Sequence, residues 1–470
     1  MVNPPQNQFY PPEKTIHPSG PRMTSKPQII EPRTLKGFRD YPPALMIPRE
    51  EVLQTARRVY RAHGFAPIDT PALEYAEILT GKGGEESDRL IYRFKDHGDR
   101  DVALRFDLTV PFARFAAMHI PKLGTPFKRY AMGPVWRGEN TSHGRYREFW
   151  QCDFDTIGTT SNAADIEAAL VIHELLVALG LERFEIRINN RLVLNGLLQE
   201  AGLSDKSVAV LRALDKLPKV GMDAVLDEMA GHGIGREAGR KVLELASSKG
   251  NPTEVLDRLA AEYPANETLA EGVRRLRELF ATVAACGLPE ERFRLDLSIA
   301  RGLDYYTGTI YETFLLDLPN IGSICSGGRY DNLAGLYTNQ KLPGVGASLG
   351  VDRLLAALEE LGRLGKRETP AEILVTQFDA GSLGQYFRIA SVLRKAGLAV
   401  EVYPEAKKIG QQLQHAEKRG FKLAVIAGPD ELASGRFKLK NLLKRTEDAF
   451  AESDLADAAK RELAGQGSAG

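Results

Sequence analysis

The segment Arg301-Gly302-Leu303-Asp304-Tyr305-Tyr306-Thr307-Gly308 sets a guanidinium, a carboxylate and two phenols side by side, and a second dense patch, Ser326-Gly327-Gly328-Arg329-Tyr330-Asp331, follows it. Glycines let backbone and ligand approach closely. Arginine forks grip phosphate or carboxylate, and tyrosines orient a flat, polar substrate. Two such patches point to a pocket for a small ligand that is both anionic and aromatic. A third cluster lies earlier, in Gly133-Pro134-Val135-Trp136-Arg137-Gly138-Glu139 and Arg145-Tyr146-Arg147-Glu148-Phe149-Trp150-Gln151. Its three arginines and its aromatic ring suit a nucleotide, guanidinium for phosphate and ring for adenine. An arginine beside apolar strand residues is costly to bury unless an anion partners it. The run Gly344-Val345-Gly346-Ala347-Ser348-Leu349-Gly350-Val351-Asp352-Arg353 reads as a glycine-rich strand entering a helix, with Arg353 near the helix start.

These segments need a large scaffold. The chain has 470 residues, enough for two to four domains, and Lys+Arg equals Asp+Glu at 62 each. No global field attracts nucleic acid, so any RNA binding must come from local patches. Cys152, Cys286 and Cys325 form no CxxC pair and no Cys/His cluster, which argues against structural zinc or a disulfide framework and leaves no protein metal site in view. No apolar run approaches a membrane span. The first residues lack the charged-then-apolar pattern of a signal peptide, so a cytoplasmic location is expected.

Periodicity supplies the elements. Residues 1–33 are proline-rich and polar and read as a disordered tail. A helix is expected over 48–63, with Val52, Leu53, Ala56, Val59 and Tyr60 on one face and Gly64 ending it. A strand at Ala66–Ile68 stops at Pro71. Phe127 to Gly158 reads as a long antiparallel hairpin with a polar tip from Asn140 to Gly144. A helix at Ala163–Leu179 and a strand at Phe184–Ile188 follow. From about Leu197 to Leu288 the spacing is helical throughout, interrupted by Gly231, Gly233 and Gly235. Strand character returns at Phe293–Ser298, Ile310–Leu315 and Gly346–Ala347, then a helix at Asp352–Leu361. Beyond a charged linker at Arg363–Glu368, strands alternate with helices, which implies a compact α/β domain with a mainly parallel sheet. Its positives Lys407, Lys408, Lys418, Arg419, Arg436, Lys438 and Lys440 form a candidate RNA-facing surface. The fold class expected is α+β, interrupted by a helical module and followed by an α/β domain.

The two patches are also the signature segments of histidyl-tRNA synthetases. The hairpin and the Gly344–Arg353 run resemble motifs 2 and 3 of class II aminoacyl-tRNA synthetases, and Gly64–Glu74 resembles motif 1. The order of segments from about residue 34 to 465 is similar to that family throughout. The resemblance implies an antiparallel-sheet catalytic domain in two parts, 34–196 and 289–365, around a helical insertion at 197–288, with an anticodon-binding domain at 370–465. It implies an ATP- and Mg²⁺-dependent enzyme that activates L-histidine and charges tRNA-His, working as a homodimer.

It also implies roles. Arg137 would hold the α-phosphate, with Arg301 facing it from the opposite side. Arg145 would reach the outer phosphates, Glu139 the adenine side, Phe149 would stack on adenine, and Arg353 would cover the nucleotide. Asp107 and Thr109 would take the α-ammonium, with Gln151 beside them, and Asp155, Tyr306 and Tyr330 would surround the imidazole. A carboxylate accepting an imidazole N–H is a natural selector. Two anions must meet in such a site, so flanking guanidiniums replace any side-chain nucleophile.

The chain departs from many bacterial relatives at the motif 2 tip, where Asn140-Thr141-Ser142-His143 stands in place of Arg-Pro-Gln, and in having Asp107 and Asp155 where Glu is frequent. The run Tyr146 to Asp155 is more similar to the eukaryotic and archaeal form. These differences imply a different reading of the tRNA acceptor end. Two rivals are a catalytically dead paralogue of the kind that regulates short ATP phosphoribosyltransferases and a plain RNA-binding module. The intact arginine set and the extra C-terminal domain argue against the first, and the ATP-type arginine and glycine constellation argues against the second.

Overall fold

The computed structural model describes residues 30–81, 88–248, 250–299, 305–364 and 367–465. Arg301 and its neighbours through Asp304 lie outside the described residues, as does nearly all of the 1–33 segment. Residues 1–35 form a unit of their own, whose described part carries neither helix nor strand. The second unit is residues 36–470.

The first helix, Pro43–Ala62, begins earlier than its apolar spacing predicts, because proline suits the first helical turn, where its missing N–H has no helical partner to lose. Val52, Leu53, Ala56, Val59 and Tyr60 are its buried stripe. Gly64, at φ 78°, turns the chain out of it. The strands that follow are β1 (Ala66–Pro67), β2 (Leu73–Tyr75), β3 (Arg93–Lys95), β4 (Asp101–Leu104), β5 (Phe127–Trp136), β6 (Glu148–Ile157), β7 (Phe184–Asn190), β8 (Phe293–Leu295), β9 (Thr309–Leu315), β10 (Cys325–Tyr330) and β11 (Gly344–Gly350). Eight of them form one sheet in the order β1-β5-β6-β11-β10-β9-β7-β8, antiparallel except at the β1–β5 and β7–β8 edges. A small sheet, β2-β4-β3, stands beside it.

The long hairpin β5–β6 pairs Phe127 with Ile157 and Trp136 with Glu148. Its two faces do different work. Cys152 and Phe154 are buried toward the first helix, where the Tyr60 hydroxyl donates to the Cys152 carbonyl at 3.0 Å. Side chains alternate along a strand, so Phe149, Gln151, Asp153 and Asp155 face the opposite way. The helix Asn162–Ala178, capped by Ser161, packs into the same core as the first helix.

Between β7 and β8 the chain is helical, as its spacing predicts, from Arg191–Glu200 to Glu267–Ala285. It has two cores. Leu194, Leu198, Val210, Leu226, Val242 and Leu243 form a separate cluster. Leu256, Leu259, Val273, Leu276 and Leu279 instead join the core of the large sheet.

The C-terminal strands are β12 (Ile373–Val375), β13 (Val400–Val402), β14 (Leu423–Ile426), β15 (Arg436–Asn441) and β16 (Thr446–Ala451), in the order β13-β12-β14-β15-β16. The first three are parallel, as expected; β15 and β16 add an antiparallel hairpin that the sequence reading does not include.

Candidate active site

Strand register builds the floor of a cleft. Opposite Gln151 lie Gly133 on β5 and Gly350 on β11; opposite Asp153 lie Ala131 and Ser348; opposite Asp155 lie Arg129 and Gly346. Over this floor opens a cavity of about 140 Å³. It is lined by Arg137, Glu139, Arg145, Phe149, Gln151 and Arg353, together with Ser326, Ser348 and Asp352. The residues expected to hold a nucleotide thus line one cavity, and Gln151, expected beside the α-ammonium, lines it too.

Arg137 is held in a slot. Its guanidinium carbon lies 4.3 Å from the Phe106 ring centroid and 5.1 Å from that of Phe149, and its Nε donates to the Phe106 carbonyl at 3.0 Å. Stacking and one backbone bond restrain the plane of the fork and leave its terminal nitrogens outside that bond. Glu139 accepts from Arg145 Nε and lies 3.9 Å from Arg137, a carboxylate standing between two cations. Arg353 Nη1 donates to the Ser323 carbonyl at 2.6 Å. The buried Oε1 of Gln151 has no hydrogen-bond partner among the described residues. A buried polar atom without a partner is costly, and a ligand donor would satisfy it.

The amino-acid side is a network of buried carboxylates and phenols. Asp155 pairs with Arg129 at 2.6 Å, both fully enclosed, and accepts the Tyr330 hydroxyl at 2.7 Å. Burial still pushes its carboxyl up, against the pull of Arg129. Gly346 leaves it room: a Cβ there would stand 2.3 Å from Asp155 Oδ1. Gly328 does the same for Tyr306, whose ring lies 3.1 Å from the space a Cβ would fill. Asp107 Oδ1 accepts the backbone N–H groups of Thr109 (3.1 Å) and Val110 (2.9 Å) at the start of the helix Thr109–Leu123, and its Oδ2 accepts the Tyr305 hydroxyl at 3.3 Å. The rings of Tyr305 and Tyr306 meet edge to face at 5.2 Å, and Tyr305 reaches Tyr330 at 6.0 Å.

Two arginines of the motifs are engaged elsewhere. Arg329, in the second signature patch, forks onto the fully buried Asp165, which makes it a structural ion pair. Arg147 bonds the carbonyls of Glu139 and Lys36 and is absent from the cavity wall, so Arg137 and Arg145 are the two hairpin arginines that line it. Sequence reasoning also missed Arg129, Asp153 and Tyr305. Arg129 was accessible to it: a hairpin closing at Ser142 puts position 129 opposite Asp155.

Asp153 is buried between Gln151 and Asp155 on the same strand face, and its Oδ1 has no partner among the described residues. Burial, eased by Arg129 and reinforced by Asp155, raises its carboxyl from 3.8 to about 7. A carboxyl raised in the folded state is bound to its proton more tightly there than in the unfolded chain. It therefore subtracts stability as pH climbs from about 4 through 7, at about 1.4 kcal/mol per pH unit, on the order of 4 kcal/mol in all. The variant Asp153→Asn is expected to flatten that part of the profile and to be the more stable protein at pH 8. Urea unfolding of both proteins between pH 5 and 8 checks this; parallel profiles would refute it.

Residues 37–354 match the family model described as histidyl-tRNA synthetase, and 373–462 match the anticodon binding domain. A histidine–tRNA ligase of Rhodopirellula baltica is 57% identical over 432 residues, 92% of this chain and 98% of the relative.

The chain belongs to the histidyl-tRNA synthetase family.

A histidine–tRNA ligase of Wolinella succinogenes is 46% identical, across 88% of this chain and 94% of its own. The crystal structure of the histidyl-tRNA synthetase from a Nostoc species superposes with a TM-score of 0.85 at 37% identity, covering 92% of this chain and all of that one. The fold is that of class II histidyl-tRNA synthetases, with mixed helices and sheets and the anticodon-binding domain at the C-terminal end. Membership makes the chain an aminoacyl-tRNA ligase that joins histidine to tRNA-His. The histidyl-tRNA synthetase family uses ATP, generally with Mg²⁺. No helix among the described residues is long and apolar enough to cross a membrane.

Proposed function

We propose that the cleft between the β5–β6 hairpin and the helix Val351–Glu360 holds ATP, and that the adjoining carboxylate–phenol network holds L-histidine. The observation that carries this is the convergence of Arg137, Arg145, Phe149, Gln151 and Arg353 on one cavity, next to the row that contains Asp155. In the first step the histidine carboxylate attacks the α-phosphorus of ATP. A C–O–P bond forms, the bond to the bridging oxygen breaks, and pyrophosphate leaves. Both reactants are anions, so Arg137 lowers their repulsion and stabilises the charge that builds on the phosphoryl oxygens. Arg301 is assigned the opposite side by resemblance. Glu139 keeps Arg145 at the mouth of the cleft until phosphates compete for it. The histidyl group then passes to the 3′ end of tRNA-His.

Asp107 and Thr109 are assigned the α-ammonium, and Asp155, Tyr306 and Tyr330 the imidazole. A site lined with such partners rejects apolar amino acids because its own groups would be left unpaired. Mg²⁺ is read as arriving with the nucleotide, whose charge it would share. The domains are read as 34–196 with 289–365 for catalysis, 197–288 as the insertion and 370–465 for the anticodon. The site of action is the cytoplasm. Histidine-dependent ATP–pyrophosphate exchange, run with each of the twenty amino acids, tests the reading. Exchange with histidine alone is expected; none, or exchange with another amino acid, would overturn it.

The working form is read as a homodimer joined near motif 1. Leu73, Tyr75 and Phe94 are exposed apolar residues of the small sheet, and Tyr75 and Phe94 stand on either side of Val102 in register. Exposed strands of this kind are liabilities unless covered. The double variant Leu73→Asp, Phe94→Asp is expected to be monomeric by light scattering at micromolar concentration. A dimer of undiminished stability would exclude this face.

A further inference from the structure

Behind the cleft five side chains stack in alternation, and one of them, Tyr146, also lines the cavity. The Arg39 guanidinium lies 4.1 Å from the Tyr146 ring centroid and 4.4 Å from that of Tyr41. The Arg49 guanidinium lies 4.2 Å from the Tyr41 centroid and 4.6 Å from that of Trp150. The order is therefore Tyr146, Arg39, Tyr41, Arg49, Trp150. Arg49 is 3% exposed, and its Nε and Nη2 have no hydrogen-bond partner among the described residues. Apolar side chains of similar volume would fill such a position at less cost, so stability alone does not account for the arrangement.

The stack converges on Asp352. This carboxylate is 1% exposed. Its Oδ1 accepts from Arg39 Nη2 at 3.3 Å and from the Tyr41 hydroxyl, and its Oδ2 accepts the Trp150 backbone N–H at 2.7 Å. Burial and the Asp352 charge push the Tyr41 phenol up to about 12, so it keeps the proton it donates. Arg39 also donates to the Tyr146 hydroxyl at 2.9 Å. Trp150 lies between Phe149 and Gln151, and Asp352 precedes Arg353. Tyr146 and Asp352 line the cavity; Arg39, Tyr41 and Arg49 do not. The segment is latched to the hairpin from the other end as well: Arg147 N–H donates to the Gly37 carbonyl at 2.8 Å. Gly37, at φ 87°, has the Arg147 side chain 2.7 Å from where a Cβ would stand.

We propose that Arg39 and Tyr41 are positioning residues for the nucleotide: through Asp352 and Tyr146 they fix the strand end that carries Phe149 against the helix that carries Arg353. The inference rests on the reading of the cleft as the ATP site. Its consequence is selective. The contacts run to the nucleotide wall, whereas Asp155, Tyr330 and Asp107 have their own supports in Arg129 and the helix start at Thr109.

The test is pyrophosphate exchange with ATP and histidine varied separately, on Arg39→Ala, Arg39→Lys, Tyr41→Phe and, as a control on the cleft itself, Arg137→Ala. For Arg39→Ala the KM for ATP is expected to rise at least tenfold while the KM for histidine stays within twofold. Arg39→Lys is expected to recover only part, because an ammonium reproduces neither the fork nor the flat stack. Tyr41→Phe keeps the ring and loses the hydroxyl, and it carries the test should Arg39→Ala fail to fold; a rise in KM for ATP alone is expected there too. Equal rises in both constants, or no change in either, would overturn the positioning role. Should Arg137→Ala leave exchange untouched, the assignment of the cleft to ATP fails instead.

Discussion

Arg137→Ala should lower kcat/KM for histidine-dependent pyrophosphate exchange on the order of 10²–10³-fold, the loss typical when one fixed donor to developing charge is removed. The reason lies in how Arg137 is held. A solvated arginine must give up water and rotamer freedom to meet a phosphate. This one already lies between the rings of Phe106 and Phe149 with Nε tied to a carbonyl, so its orientation is set before substrate arrives. Arg137→Lys should recover little, since an ammonium cannot lie flat between two rings and offer a second nitrogen at the same time. The fold should survive both changes: the side chain is 22% exposed, and losing its stacking is expected to lower stability by about 1 kcal/mol. Single-turnover adenylate formation is the clean readout. A variant that forms adenylate within threefold of the parent rate would remove Arg137 from the reacting centre.

Arg329 makes the contrast useful. Sequence presents Arg137 and Arg329 alike, each beside glycine and an aromatic residue. The register separates them: Arg329 is closed off by Asp165 and the carbonyls of Thr159 and Ser161. A composition-level reading of "arginine near glycine" could not distinguish a ligand-facing fork from a structural one, because the deciding partner lies on a distant helix. Where the partner lies within the same hairpin, sequence suffices. The β5–β6 pairing follows from its polar tip, and with it the opposition of Arg129 and Asp155.

Elsewhere one pattern hid another. Arg436, Lys438 and Lys440 read as part of a candidate RNA-facing surface, and they alternate with Phe437 and Leu439, which are buried. That period of two is an amphipathic strand, and the charges line its outer side. The patch Ser326–Asp331 reads as part of a ligand pocket, with no element assigned to it. Ser326 to Tyr330 lie on β10 inside the large sheet, where Gly327 and Gly328 fit because Ala347 and the Tyr306 ring occupy the space their side chains would need. The helix Thr109–Leu123 went unread because Pro111 near its start and Pro121 near its end mask a continuous apolar face of Phe112, Ala113, Ala116 and Ile120. The residues that could bear catalysis were legible as types in order; the supports that orient them, being long-range, were not.

Asp155→Ala should be the most damaging single change on the amino-acid side, for two separable reasons. The first is structural. Asp155 and Arg129 are 4% and 0% exposed and lie 2.6 Å apart. Removing one partner leaves a guanidinium buried without its counter-charge, which destabilises by about 3–5 kcal/mol. The second concerns substrate. Both Asp155 oxygens already accept one bond, from Tyr330 and Arg129, and each retains a lone pair for an imidazole N–H. Loss of that acceptor should raise the KM for histidine about 100-fold while leaving the KM for ATP unchanged, a bond to a charged group in a closed site being worth about 1.5–3 kcal/mol. The double variant Arg129→Met, Asp155→Leu separates the two effects. Replacing a buried pair by apolar groups of similar volume is often neutral, so the double variant should regain most of the thermal stability lost in Asp155→Ala. Its KM for histidine should not recover. Recovery of both together would mean that Asp155 only holds Arg129 in place, and that some other group selects the imidazole.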